Sequence, residues 1–507
     1  MVPMLDLIKK IGTMFEGIST LNVTTGLVFT VVCLFVWTCT RRPRGIPPGP
    51  LITIPILGHL LQIGANPIKS FQKMRKQYGD VFSVYIGNRL VVVINGLENL
   101  KEAFVIKGDV FTARPNTYVQ DIVAGNKGIF FSNGSIWKEQ RKFAVATLRH
   151  LGMGRNILEA NIQEEATVFL EELATTRGQV TDIAHLVHNA VSNIICTLVF
   201  GKRFQYNDPK FVKLLKVVAE DISVSPLADF MPLLRFVPGD LLKINRTIKN
   251  AEMVEREFII PAIDEHLEHY DDDNIHDFIS AYIKEMKIME SLGETNTSMD
   301  RENLRIAITD LFLAGSETTG SAIRWFLLCI LHFPEIQDKC FTDINRIVGC
   351  SRPVSLKDKV NLPFVEATIM ETLRFGDIAP LGATHGVLED TTLKGYRIPN
   401  GAIIMPNIDS VLSDPIIWGD PENFRPDRFL DEHGKITKSE EFIPYFIGRR
   451  NCMGESLARM ELFLFISNMI QKFQFVKADD EPLPSLEGEF GLTHCPKPFK
   501  MRAILRD

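Results

Sequence analysis

Between Pro444 and Glu455 the chain reads Pro-Tyr-Phe-Ile-Gly-Arg-Arg-Asn-Cys-Met-Gly-Glu. A helical pattern, Ser456-Leu-Ala-Arg-Met-Glu-Leu-Phe-Leu-Phe, follows at once. Cys452 is bracketed by Gly448, Arg450 and Gly454. A cysteine in a glycine-containing loop that opens a helix has its thiolate stabilised by free backbone N–H groups and the positive helix end. Such a sulfur serves as a nucleophile or a metal ligand. A lone buried cysteine is common in protein cores; a Gly-x-Arg-x-Cys-x-Gly loop is not.

The surrounding chain has 507 residues, 45% hydrophobic and 23% charged. That composition excludes disorder, collagen and a bare coiled coil. A net charge of −6 gives no overall bias toward nucleic acid. Phe is heavily used, 34 residues against 8 Tyr and 4 Trp, which points to a large apolar core or pocket. The eight cysteines include no CxxC pair, so neither a disulfide framework nor a structural zinc site is expected. The pattern suits a reducing compartment. There is no internal repeat and no P-loop, and Gly152-Met-Gly154 lacks the third glycine and the preceding strand of a nucleotide fingerprint.

From about Pro67 most segments read as helices. Ala166–Leu173, Asn189–Leu198 and Arg256–His269 carry apolar residues at three- and four-residue spacing. Val81–Ile86 and Arg89–Ile94 read as a hairpin around Gly87-Asn88, and Thr391–Ile404 holds further short strands. The expected fold is mainly α with a small β region. Asp221–Gly239 is turn-rich. Asp271–Met299 is largely polar, and His266, His269 and His276 beside Asp271–Asp273 read as a solvated helix–loop–helix surface rather than a metal patch.

Gly17–Thr40 carries no charge, and Arg41, Arg42 and Arg44 follow it. This reads as a single transmembrane signal-anchor, with the downstream chain held in the cytosol by the basic cluster. A cleaved signal peptide is the rival, but no small-x-small cleavage site follows. Met4, Ile8, Ile11, Phe15 and Ile18 recur at helical spacing, as an interfacial helix would. Pro43, Pro47, Pro48 and Pro50 then make a stiff hinge. The expected division is 1–40 interfacial segment and anchor, 41–66 basic, Pro-rich hinge, and 67–507 catalytic domain. With that domain in the cytosol, the sequons at Asn133, Asn245 and Asn296 would stay bare.

Three further patterns stand out. Asp310-Leu-Phe-Leu-Ala-Gly-Ser-Glu-Thr-Thr319 lies inside a helical pattern from about Arg301 to His332. Gly315, Thr318 and Thr319 weaken it, because a hydroxyl that bonds back to the preceding turn bends a helix. Glu371-Thr-Leu-Arg374 puts two charges on one helix face. Trp137-Lys-Glu-Gln-Arg141 puts Trp137 and Arg141 on one face too.

The cysteine loop resembles the haem-thiolate signature Phe-x-x-Gly-x-Arg-x-Cys-x-Gly of the cytochrome P450 superfamily, with Tyr445 where the family usually has Phe. The resemblance covers the chain from anchor to C-terminus and looks nearest to animal microsomal members of the family-2 type. It implies haem b, with Cys452 as proximal iron ligand; a thiolate ligand favours O–O cleavage. It implies Thr318 and Glu317 as the oxygen-activation pair, and Glu371, Arg374 and Arg428 (of Phe424-Arg-Pro-Asp-Arg-Phe429) as a buried structural triad. It implies Arg114, Trp137, Arg141, His385 and Arg450 as partners of the haem propionates. The substrate pocket would draw on Phe131, Ala314, Leu381, Leu492 and Thr493.

Only 55 residues follow Cys452, too few for a flavin domain. By resemblance, electrons come from NADPH through a diflavin reductase on the same membrane, with cytochrome b5 as an optional second donor. Lys138, Lys142 and Arg449 read equally as a solvated basic face or as a docking face for that reductase. The expectation is a monooxygenase anchored in the endoplasmic reticulum, facing the cytosol. It acts on a lipophilic, largely neutral molecule: steroid, fatty acid or xenobiotic. Oxygen-independent relatives tend to lose the helix threonine and acid, and Thr318 and Glu317 are both present.

Overall fold

A computed structural model describes residues 24–31, 42–153, 156–222, 230, 236, 239–240, 243–479, 481–491 and 493–506. The expected anchor lies largely outside these residues, as do Leu492 and most of the turn-rich stretch. Residues 24–31 form an exposed helical turn pair. Among the described residues no helix is long and apolar enough to cross a membrane.

The principal helices are Pro67–Tyr78 (α1), Gly134–His150 (α2), Asn156–Ala174 (α3), Ala184–Phe200 (α4), Pro209–Ile222 (α5), Ile244–Val254 (α6), Ile260–Glu268 (α7), Phe278–Ser291 (α8), Arg301–His332 (α9), Pro334–Ile347 (α10), Pro363–Gly376 (α11) and Glu455–Lys472 (α12). A π-helical turn, Glu255–Ile259, joins α6 to α7. The three expected helical stretches fall within α3, within α4 and across that turn into α7. The polar stretch 271–299 also holds α8, whose Phe278, Ile279, Tyr282 and Ile283 are buried. Its helical spacing of apolar residues was visible but diluted by charged neighbours.

Strands Val81–Ile86 (β1) and Arg89–Ile94 (β2) pair antiparallel with Val81 opposite Ile94, the expected hairpin. His385–Gly386 (β3), Thr391–Leu393 (β4), Tyr396–Ile398 (β5) and Ile403–Pro406 (β6) follow. The main sheet runs β1-β2-β6-β3, with β2 parallel to β6. Phe473–Lys477 (β7) pairs with Met501–Leu505 (β10), and Gly488–Phe490 (β8) with His494–Pro496 (β9).

The largest core cluster is helical. It buries Ile195, Phe312, Ile323, Phe326, Phe463 and Phe465 among many others, with α9 at its centre. Gly315 allows α4 to cross α9 closely: a Cβ there would lie 2.3 Å from the Ile195 side chain. α9 remains one continuous helix through Gly315, and the expected weakening shows only as a back-bond from Thr318 Oγ1 to the Ala314 carbonyl at 2.9 Å.

The Pro-rich segment is fastened down. Arg42 donates to the carbonyls of Gly49 (2.5 Å) and Pro47 (3.0 Å) and to Ser83 Oγ (2.5 Å), and Ser83 N–H donates to Pro48 O. Residues 42–50 are therefore docked on β1. Among the described residues no group of three or more His, Cys, Asp or Glu side chains could hold a metal ion. Fully buried Asp277 caps α8 and faces His266 (3.1 Å) and His276 (3.4 Å).

Candidate active site

Cys452 sits just before Gly454, the N-cap of α12. Its own N–H donates to Tyr445 O at 2.9 Å. Burial raises the thiol's pKa, while the N–H groups of Gly454 and Glu455 oppose that by donating to the sulfur. The side chain nonetheless keeps free surface. Protein surrounds it, so that surface opens inward onto a cleft rather than onto bulk solvent. Gly448 brings the loop against the Phe104 carbonyl: at φ +80° its Cβ would lie 2.2 Å from that oxygen, so only glycine fits.

The helix α9 shows the same signature of an inner cleft. Ala314 and Thr318 are exposed, whereas Phe312, Ser316 and Thr319 beside them are buried. Phe131 stacks edge-on against Phe130 at 4.7 Å in a loop pinned to α9. Asp310 Oδ2 accepts the N–H groups of Ile129 (2.7 Å) and Phe130 (2.9 Å), and Asn303 Oδ1 accepts that of Gly128 (3.1 Å). Asp310 keeps some free surface, but the protein enclosing it raises its carboxyl to about 7 against those donors. Neither Asp310 nor Asn303 was anticipated, since one polar residue in an apolar helix face carries no periodic signal. Leu381 is buried in the cluster that holds Val91, Ile403 and Met405. Thr493 is buried beside Glu317.

The five expected propionate partners come together from four parts of the chain. Arg450 donates to Thr112 O (2.9 Å), Phe130 O (3.3 Å) and Ser132 O (2.7 Å), and lies 4.1 Å over the Trp137 ring. Arg114 donates to Phe130 O (3.1 Å) and Thr384 O (2.8 Å). Arg141 donates to Asn451 O (2.6 Å) and Oδ1 (2.8 Å), next to the cysteine. His385 is set by the pairing of β3 with β6 and by a 2.8 Å contact of Nδ1 with Phe111 O. Burial, reinforced by Arg114, keeps His385 neutral.

This cluster fits an anionic group. Arg114, Arg141 and Arg450 make no ion pair with a carboxylate among the described residues. Burial and mutual repulsion lower Arg450 to about 8 and Arg114 to about 10. Trp137 Nε1 is buried without an acceptor among the described residues. Three guanidiniums and an orphaned indole N–H are donors that two carboxylates would satisfy.

Behind the cysteine loop, Glu371 takes Arg374 at 2.7 and 2.8 Å and Arg428 at 3.0 Å, with all three side chains nearly inaccessible. Spare guanidinium donors go to the carbonyls of Leu412, Pro421 and Trp418. Two charges spaced along one helix face thus mark a buried, fully connected ion cluster.

Fold and site together define a haem enzyme, and the Cytochrome P450 family model matches residues 47–503: the chain belongs to the cytochrome P450 family. Among curated relatives it is 38% identical to cytochrome P450 2U1 of Homo sapiens, over 92% of this chain and 90% of the relative. It is 35% identical to cytochrome P450 2B4 of Oryctolagus cuniculus, over 91% and 94%, and 35% identical to cytochrome P450 2C23 of Rattus norvegicus, over 95% and 99%. The chain is accordingly a haem-binding monooxygenase, using NADPH through a reductase.

Proposed function

We propose a monooxygenase anchored in the endoplasmic reticulum membrane by residues 1–40 and joined through the basic, Pro-rich segment 41–66 to the catalytic domain 67–507 in the cytosol. Its substrate is a lipophilic, largely neutral small molecule such as a steroid, fatty acid or xenobiotic. Phe131, Ala314, Leu381, Leu492 and Thr493 bring no charge to the pocket. Haem bound here supplies activation of O2. Cys452 is its thiolate ligand, and Arg114, Trp137, Arg141, His385 and Arg450 hold its propionates. Thr318 orients protons at its Oγ1, Glu317 passes them inward, and the Glu371–Arg374–Arg428 cluster braces the cysteine loop. A diflavin reductase supplies electrons, with cytochrome b5 as an optional second donor.

The observation that carries this reading is the uncompensated arginine cluster with its orphaned indole N–H beside an inward-open cysteine sulfur. The test is the reduced carbon monoxide spectrum. Wild type should give the red-shifted Soret band of thiolate ligation, and Cys452→Ser should lose it. An unchanged band in the variant would refute the assignment. A spin-shift screen across lipid classes identifies the substrate. Topology is tested by glycosidase treatment of protein from animal cells. Asn245 and Asn296 are exposed and would be modified in a lumenal domain. Asn133 is less informative, because its side chain already holds the backbone of Arg114. A mobility shift lost in Asn245→Gln or Asn296→Gln would overturn the cytosolic orientation.

A further inference from the structure

Glu317 points into a polar nest built by three elements. On its own helix, Ser321 Oγ donates to Oε1 at 3.4 Å, and Arg324 adds positive potential. From β9 and the residue before it, Cys495 Sγ lies 3.3 Å from Oε1 and Thr493 Oγ1 lies 3.2 Å from that sulfur. From α4, His188 Nδ1 lies 3.8 Å from Oε2. The other ring nitrogen of His188, Nε2, is buried and has no partner among the described residues. His185, one turn earlier on α4, is exposed.

These neighbours differ in what they can do. Ser321 and Thr493 hold the carboxyl in place, and Cys495 is a weak donor whose thiol burial pushes further up. Of these neighbours only the imidazole can accept a proton at one atom while releasing another from a different atom. Burial, His185 and Arg324 keep the His188 ring neutral, at about 4. It therefore relays without storing charge.

We propose that His188 is the solvent-side proton donor to Glu317, receiving protons at Nε2 by way of His185 and delivering them from Nδ1 to Oε2. This rests on the reading of Glu317 as the inner proton carrier. When Glu317 gives its proton inward it becomes a carboxylate. The Nδ1 proton of His188 moves to Oε2 as Nε2 takes one from His185, and exposed His185 regains its own from water. A flip of the ring restores the first tautomer, and the net transfer is one proton from solvent. A side-chain torsion must close the 3.8 Å separation before the proton moves. His188 is a positioning and relay residue; it does not touch the reacting atoms.

The experiment uses full-length holoenzyme with its reductase and measures peroxide released per NADPH from pH 6 to 9. His188→Gln keeps a polar side chain but cannot pass a proton through it. Peroxide release should rise several-fold, toward the value of Glu317→Gln, and lose its pH dependence. Imidazole added to His188→Gly should restore coupling. His185→Gln, at an exposed position with no risk to the fold, should shift the profile in the same direction. A readout independent of turnover is the infrared C=O band of the Glu317 acid in the ferric protein, assigned by its loss in Glu317→Gln. Its titration midpoint should move in His188→Gln. If Glu317→Gln uncouples while the His188 and His185 variants match wild type, the relay is overturned and the role of Glu317 stands. If Glu317→Gln itself matches wild type, the role of Glu317 falls and the relay falls with it.

Discussion

Glu461 lies two turns into α12, the helix that follows the cysteine loop, is 1% exposed, and faces Thr319 on α9. Its Oε1 has no partner among the described residues, and its one side-chain hydrogen bond is with Thr319. An ionised carboxylate with a single hydroxyl partner in such a place is unfavourable. Burial accordingly raises the carboxyl from 4.5 to about 8. The folded protein thus keeps a proton that the unfolded chain releases. Between pH 4.5 and about 8 the unfolded state binds fewer protons, so stability falls as pH rises, by ~1.4 kcal/mol per unit. Glu461→Gln keeps the shape and a donor but does not titrate. Its stability relative to wild type should climb across that window and level off above it. The whole gain is about 4–5 kcal/mol, a large part of a domain's net stability of roughly 5–15 kcal/mol. Asp310, raised to about 7, titrates in both proteins and cancels in the difference. The assay is urea unfolding by tryptophan fluorescence at pH 5, 6, 7 and 8. Curves that stay parallel for wild type and variant would show that Glu461 is not held as the neutral acid.

Thr318→Ala should retain haem and the carbon monoxide band but release more peroxide per product; equal coupling would remove Thr318 from the proton path. Glu371→Ala and Arg428→Ala should yield little or no holoprotein on expression, because a broken buried pair costs ~3–5 kcal/mol. Haem dimethyl ester, which lacks the carboxylates, should bind the haem-free protein much more weakly than haem in a fluorescence-quenching titration; equal affinity would refute the arginine cluster as the propionate clamp. Lys142→Glu should slow reduction by the reductase and weaken its salt dependence in stopped flow. Arg449 should matter less than Lys138 or Lys142, because Asp109 already pairs with it at 2.8 Å.

Legibility in the sequence followed the range of the forces involved. The β1–β2 hairpin, with ends at Val81 and Ile94, was readable because alternation and the Gly87-Asn88 turn are local. The cysteine loop was readable for the same reason. The Glu371–Arg374 pair was visible as spacing, but its burial depends on Arg428 and on carbonyls of a segment far along the chain. The Asp310 clamp and the His188–Glu317 contact left no local trace. Each joins one polar residue of an apolar helix to a partner that only tertiary packing brings near. The Pro-rich segment misled in the other direction. Its prolines dictate stiffness, but what Arg42 grips is decided by β1.

The arginine cluster explains why those distant segments must meet. The Phe130 carbonyl accepts from both Arg114 and Arg450, and Asn133 Oδ1 takes the Arg114 N–H at 2.6 Å. The loop that holds the arginines is therefore the loop that carries Phe131, and Asp310 and Asn303 fix it to α9. Two buried guanidiniums and the half-buried one of Arg141 repel one another, and the carbonyls around them screen that repulsion without cancelling it. In the proposed arrangement an anionic cofactor would cancel it, and its binding would tighten the loop proposed to wall the substrate pocket. On that reading pocket shape and haem retention are linked through Phe130, whose carbonyl accepts from both arginines. A substitution in the 128–133 loop should disturb both together, whereas one at Leu381, seated in a separate core cluster, should disturb the pocket alone.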